Sequence, residues 1–153
     1  MTAIRPDRPI LLVEDSPEDC EAVMRAWREL EFSNPIHHCA DGDEALDFLH
    51  CRGSHADGKD APRPAIILLD LNLPGTDGRE VLEQVKQDEH LKSIPVIVFT
   101  TSVDDKDIEG CYRAGANSYV HKPISIQGLL KALGRLRDFW LETAILPKRA
   151  PTP

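Results

Sequence analysis

Apolar residues along this chain keep two different rhythms. Ile10, Leu11, Leu12 and Val13 form one unbroken run, residues 65–69 a second and residues 96–99 a third. Runs of four or five, the middle one flanked by Pro64 and Pro74, are too short for helices, and they predict strands buried on both faces of a parallel sheet. Weaker strands are expected at 36–40 and 118–120. Between the runs, apolar residues recur at helical spacing. Cys20, Val23, Met24, Trp27 and Leu30 form the first such face, with Met24 and Trp27 both expected in the core. Leu46, Phe48 and Leu49 form the second, and Val81, Leu82 and Val85 the third. Ile108, Cys111 and Tyr112 make the fourth, and Ile126, Leu129, Leu130, Leu133 and Leu136 the fifth. Helix starts are marked by Ser16 before Pro17, by Asp41 with Glu44 three residues on, by Asp77, by a start near Asp104 and by Ser125. Glu18 and Asp19 suit the positive end of the first helix, and Gly115 suits the end of the fourth. Five strand–helix units in strict alternation predict an α/β chain, a doubly wound five-stranded parallel sheet with helices on both faces.

Length and charge narrow the class of function. At 153 residues the chain forms one domain with a real core, expected over 1–146, and 147–153 read as a disordered tail. A net charge of −8 without Lys or Arg clusters excludes a nucleic-acid surface. With no apolar run near 18 residues and no signal peptide, neither a membrane span nor export is expected. Cys20, Cys39, Cys51 and Cys111 are scattered, as reduced thiols of a cytoplasmic protein would be. Residues 51–64 form a loop of unusual length. His50, Cys51 and His55 match no standard zinc spacing, and a solvated loop is the better reading.

The chemistry lies at the strand ends. Glu14 and Asp15 follow the first strand, Asp70 the third, Thr100, Thr101 and Ser102 the fourth, and Lys122 the fifth. Each alone has a bland explanation, as a turn residue or a helix cap. Four strands delivering such residues to one edge favour function, because ligands of open α/β sheets bind at that edge. Two carboxylates about 4 Å apart repel by roughly 4 kcal/mol at an effective dielectric near 20, so three of them invite a cation. Few protein oxygens with room for water suit Mg²⁺. A divalent ion and Lys122 would admit a phosphoryl group that Asp70 attacks, and Thr100 and Lys122 would stabilise the product's oxygens.

These residues together resemble the receiver domain of two-component response regulators. The likeness rests on Glu14 and Asp15, on Asp70 followed by Leu71, Asn72, Leu73, Pro74 and Gly75, and on Asp77-Gly78. It continues through Thr100, Ala114-Gly115-Ala116, Tyr119 and Lys122-Pro123, with intervals of 30 residues from Asp70 to Thr100 and 22 from there to Lys122. It covers about residues 9–140. The resemblance implies a flavodoxin-like (βα)5 fold of strand order 2-1-3-4-5. It implies that Asp70 takes a phosphoryl group from a phosphohistidine on a sensor histidine kinase, without turnover of a separate substrate. Asp15, Asp70 and the carbonyl of Asn72 would bind Mg²⁺, with Glu14 holding it through water. Thr100 and Tyr119 would act as the switch, and Asn72, Thr101 and Ser102 would tune dephosphorylation. The Lys122–Pro123 bond is expected to be cis.

Apolar residues continue past the fifth helix as Phe139, Trp140, Leu141, Ile145 and Leu146, more than a five-stranded sheet can bury. With Leu136 they predict a partner surface, most simply a homodimer, against the alternative that the tail folds back on its own domain. This extension and the long loop resemble the stand-alone regulators that accompany phytochrome-type kinases. Two other functions leave different marks in a sequence. A dehalogenase-like phosphohydrolase would carry Asp-x-Asp after the first strand, whereas here the nucleophile candidate ends the third and is followed two residues on by Asn72. A phosphorylation-independent binding module would be expected to lack an acid or the lysine, and here all are present.

Overall fold

The structure, a computed structural model, describes residues 8–52 and 63–147. Among these residues five strands alternate with five helices: β1 (Ile10–Val13), α1 (Pro17–Glu29), β2 (Ile36–Cys39), α2 (Gly42–Leu49), β3 (Ile66–Leu69), α3 (Gly78–Gln87), β4 (Val96–Thr100), α4 (Asp105–Ala114), β5 (Ser118–His121) and α5 (Ile126–Leu136). A π-helical stretch, Arg137–Thr143, prolongs α5. All neighbouring strands are parallel, in the order β2-β1-β3-β4-β5. The expected flavodoxin-like (βα)5 sheet is the one observed. After β1 the chain leaves to one side for β2 and returns to the other for β3, so a crevice opens at the carboxyl ends of β1 and β3.

Strand alternation sorts the apolar runs into two cores. Leu11, Val13, Ile67, Leu69, Val96 and Val98 face α2, α3 and α4, meeting Leu46, Val81, Val85 and Cys111. Ile10, Leu12, Ile66, Leu68, Ile97 and Phe99 face α1 and α5, meeting Val23, Trp27, Leu129 and Leu133. Met24 departs from expectation: it is only half-buried and lies outside the core, where Ala26 stands instead. A step of about 100° per residue explains this, since Val23, Ala26, Trp27 and Leu30 fall on one stripe and Met24 falls beside it.

The caps form as the sequence predicts. Ser16, Asp41, Asp77, Asp104 and Ser125 each accept a backbone N–H of the helix that follows. The box at α2 is shifted by one residue, because Glu44 accepts from the N–H of Ala40 rather than of Asp41. Gly115 ends α4 with φ of 110°, a left-handed value that glycine adopts without strain. No peptide bond among the described residues is cis, so Lys122–Pro123 is trans, the intrinsically preferred form.

The tail largely folds back. In the π-helical stretch the N–H of Ala144 reaches the carbonyl of Phe139 at 2.6 Å, and the changed period turns Leu141 into the α1–α5 core. Leu136, Trp140 and Leu146 pack against that core while half-exposed, and Phe139 and Ile145 remain 54% and 98% exposed. Arg137 donates to the carbonyl of Leu30 at 3.0 Å and lies over the Phe32 ring, which in turn meets Trp27 edge-on. Residues 53–62 of the long loop and 148–153 of the expected disordered end lie outside the described residues.

Lys86, near the end of α3, donates to the carbonyls of Lys92 at 2.9 Å and Ile94 at 2.8 Å. Burial pushes its pKa down to about 8, and a neutral amine still has the two N–H groups those carbonyls need. Between about pH 8 and the ordinary lysine value near 10.4, the unfolded chain holds a proton that the folded chain has released. Stability from this group therefore rises with pH across that window. Urea unfolding at about pH 7 and about pH 9.5 should show the wild type gaining on Lys86→Met as pH rises.

Candidate functional site

Each polar residue singled out at a strand end is positioned by the sheet. Asp70 follows β3, its N–H bonded to the carbonyl of Val13 at 3.0 Å, and Glu14 follows β1, its N–H bonded to the carbonyl of Cys39 at 3.0 Å. Thr100 is the last residue of β4 and wholly buried, and its carbonyl accepts from the N–H of Lys122 at 2.8 Å. The side chains converge as the ladder requires. The ammonium of Lys122 bonds to the Glu14 carboxylate, to Asp70 Oδ2 at 3.2 Å and to Asp19 Oδ2 at 3.0 Å. Glu14, Asp15 and Asp70 each offer an oxygen, all within 4.8 Å of one another.

Asp19 is the participant that the sequence reading missed. In sequence it is a favourable charge in the first turn of α1, and nothing there says which way it points. The Ser16 cap, which accepts from the N–H of Asp19 at 3.2 Å, fixes that turn so that the carboxylate reaches Lys122, just past β5. All three N–H donors of Lys122 are thereby matched to carboxylates.

Burial pushes the Glu14 carboxyl above its usual range, the Lys122 ammonium pulls it back, and Asp70 adds to the rise. For Lys122, burial opposes the charged form, but Glu14, Asp70 and Asp19 outweigh it and hold the pKa above the ordinary lysine value. Four carboxylates around one ammonium leave the pocket strongly negative. Hard carboxylate oxygens, with Asp15 open to water, fit a divalent cation of the Mg²⁺ or Mn²⁺ kind. Among the described residues no histidine or cysteine enters this grouping. Elsewhere, His50 lies 3.9 Å from Asp88, Cys51 is exposed and His55 lies outside the described residues.

Backbone fit brings the rest of the rim close. Gly78 opens α3 so near the strand end that a Cβ there would lie 2.2 Å from the carbonyl oxygen of Asp70. The N–H of Asn72 lies 3.5 Å from Asp70 Oδ1, and its side chain is exposed. Thr76 donates to Asp43 at 2.5 Å, tying the loop after Asp70 to α2. On the far side Thr101 is exposed, and Ser102 sends its N–H towards Thr100 Oγ1 at 3.5 Å. Tyr119 is half-buried against the sheet, and its hydroxyl donates to the carbonyl of Ser102 at 3.0 Å. Among the described residues no helix is long and apolar enough to cross a membrane.

Comparison with known proteins decides what this edge belongs to. A family model described as the response regulator receiver domain matches residues 10–134. The chain belongs to the response regulator receiver family. This receiver is 41% identical over 142 residues to response regulator Rcp1 of Synechocystis, covering 93% of this chain and 95% of that one. It is similar in structure to the phosphorylated cyanobacterial phytochrome response regulator RcpA, with a TM-score of 0.86, 39% identity and coverage of 93% and 99%. The Mn²⁺-bound form of Rcp1 gives a TM-score of 0.84 at 40% identity, with coverage of 92% and 99%. The receiver thus resembles Rcp1 and the phytochrome response regulator RcpA in sequence and in fold.

Gly78→Ala should drive the new methyl into the carbonyl of Asp70 and the backbone of Leu71. Overpacking of this kind costs about 1–3 kcal/mol, which a lowered urea midpoint at unchanged slope will register.

Proposed function

We propose that this receiver accepts a phosphoryl group on Asp70 from the phosphohistidine of a sensor histidine kinase and signals through altered protein contacts. The observation that carries the proposal is the joining of Asp70, Glu14 and Lys122 in one buried ion cluster at the switch point of the sheet. Lys122 holds Oδ2 of Asp70, while among the described residues Oδ1 has only the long contact to Asn72. A carboxylate oxygen of Asp70 attacks phosphorus, the P–N bond breaks, and the departing imidazole nitrogen takes a proton from solvent. The Lys122 ammonium and the Thr100 hydroxyl bond to phosphoryl oxygens as the acyl phosphate forms. Glu14, Asp15, Asp70 and the carbonyl of Asn72 would hold Mg²⁺, which when bound supplies positive charge to an otherwise repulsive pocket. The chain then carries the phosphoryl group rather than turning over a separate substrate.

Thr100 and Tyr119 form the switch in this reading, with Asn72, Thr101 and Ser102 controlling the approach of water. Similarity to the phytochrome response regulator RcpA supports a phytochrome-type kinase as the donor, and the free thiols of Cys20, Cys39, Cys51 and Cys111 support the reducing cytoplasm as the place of exchange. The tail supports a homodimer, but through fewer residues than expected. Phe139 and Ile145 stand exposed with Leu136, Trp140 and Leu146 as a half-buried rim, and Leu141 is withdrawn into its own core.

Incubation with Mg²⁺ and acetyl phosphate should add one phosphoryl group by intact mass to the wild type and none to Asp70→Asn. An adduct on the variant, or none on the wild type, overturns the proposal. Replacing Phe139 and Ile145 together by serine should shift the chain towards the monomer in light-scattering sizing while leaving phosphoryl uptake intact.

A further inference from the structure

Beyond Thr100 a second polar chain leads away from the ion cluster. Arg79 Nε donates to Asp107 Oδ1 at 2.8 Å, and its Nη1 donates to both oxygens of Asp77 at 3.0 and 3.2 Å. The other oxygen of Asp107 accepts the hydroxyl of Ser102 at 2.7 Å, and Ser102 Oγ also accepts from the N–H of Asp104 at 3.3 Å. The carbonyl of Ser102 takes the Tyr119 hydroxyl, and its N–H faces Thr100. One guanidinium on α3 thus fixes, through one carboxylate on α4, the loop that follows the strand of Thr100.

Apolar packing does little for this part of the molecule. On α4 only Cys111 is buried, while Tyr112 and the preceding Val103 are largely exposed. A partly exposed ion pair adds little to global stability, so the effect of Arg79 and Asp107 is local. A planar fork shared between two carboxylates sets direction as well as distance, which a lysine cannot do. Residue Thr100 needs no such help. It is held in the sheet beside His121 and by the N–H of Lys122.

We propose that Arg79 and Asp107 are positioning residues that lengthen the life of the phosphoryl group on Asp70 by committing the Ser102 hydroxyl and closing the loop 101–104. The proposal rests on the phosphoacceptor reading above. Loss of the group occurs when a water oxygen attacks phosphorus and the bond to the Asp70 oxygen breaks. Asp70 regains its carboxylate, and the proton of the water leaves with inorganic phosphate. With its O–H donated to Asp107 and its oxygen accepting from the N–H of Asp104, the Ser102 hydroxyl is held away from that water, and the tied loop keeps it there. Without Asp107 as acceptor, both restraints go.

The test follows phosphorylated full-length chain by intact mass after removal of acetyl phosphate. Asp107→Asn and Arg79→Gln should shorten the lifetime by about threefold to tenfold, the effect of one ordinary hydrogen bond on a rate. Their initial uptake rate should stay within about twofold of wild type, because the groups that receive the phosphoryl are untouched; a general structural defect would lower both. In a Ser102→Ala background, Asp107→Asn should change the lifetime little further. Unchanged lifetimes with normal uptake overturn this inference alone, as does an Asp107→Asn effect that persists undiminished without the Ser102 hydroxyl. Failure of the wild type to take up any phosphoryl group overturns the phosphoacceptor reading and this inference with it.

Discussion

The ammonium of Lys122 is the contact on which the reactive edge depends. Among the described residues it is the single positive group bonded to Glu14, Asp19 and Asp70, and three different elements, β1, α1 and β3, deliver those acids to it. Removing one partner of a buried ion pair leaves an uncompensated charge that costs more than the pair contributes, so the cluster constrains those elements strongly. The fold answers this constraint with a ladder in which Lys122 is tied by its own backbone to Thr100 and Asp70 by its backbone to Val13. Side-chain geometry at the edge is therefore inherited from strand register.

That inheritance explains how much could be read from the chain. Unbroken apolar runs flanked by proline report burial on both faces, so the parallel sheet and the convergence of Asp70, Glu14, Thr100 and Lys122 follow from residue order. Cap positions were equally legible, since Ser16, Asp41, Asp77 and Ser125 act locally. Asp19 was not. Its partner is 103 residues away, and a helix-start acid looks the same whether it faces water or a lysine. Met24 failed for a narrower reason, because an apolar residue at the margin of a helical stripe can lie on either side of the burial line. The trans Lys122–Pro123 bond was hidden as well, since the two isomers differ by only about 0.5–1 kcal/mol and residue identity alone does not decide between them.

The two sides of the sheet are built differently. On the α1–α5 side, aromatic contacts and Arg137 weld the prolonged C-terminal helix to α1, so the tail adds to the core before it offers anything to a partner. On the other side α4 contributes one buried side chain and depends on polar ties to α3 and β5. Polar ties can be exchanged for others at small cost, whereas a buried apolar face cannot be re-seated without opening a cavity. The side that can rearrange is the one next to Thr100 and Tyr119.

Arg8 adds a last consequence. Its guanidinium bonds to the carbonyl of Pro64 at 3.0 Å and to that of Pro147 at 3.3 Å, which gathers the entry to β1, the return of the long loop and the tail at Pro147 at the amino edge of the sheet. Asp70 lies at the opposite edge. Material fused, inserted or evolved at any of those three points grows away from the reacting carboxylate, so the architecture separates the place where the molecule can be elaborated from the place where it reacts.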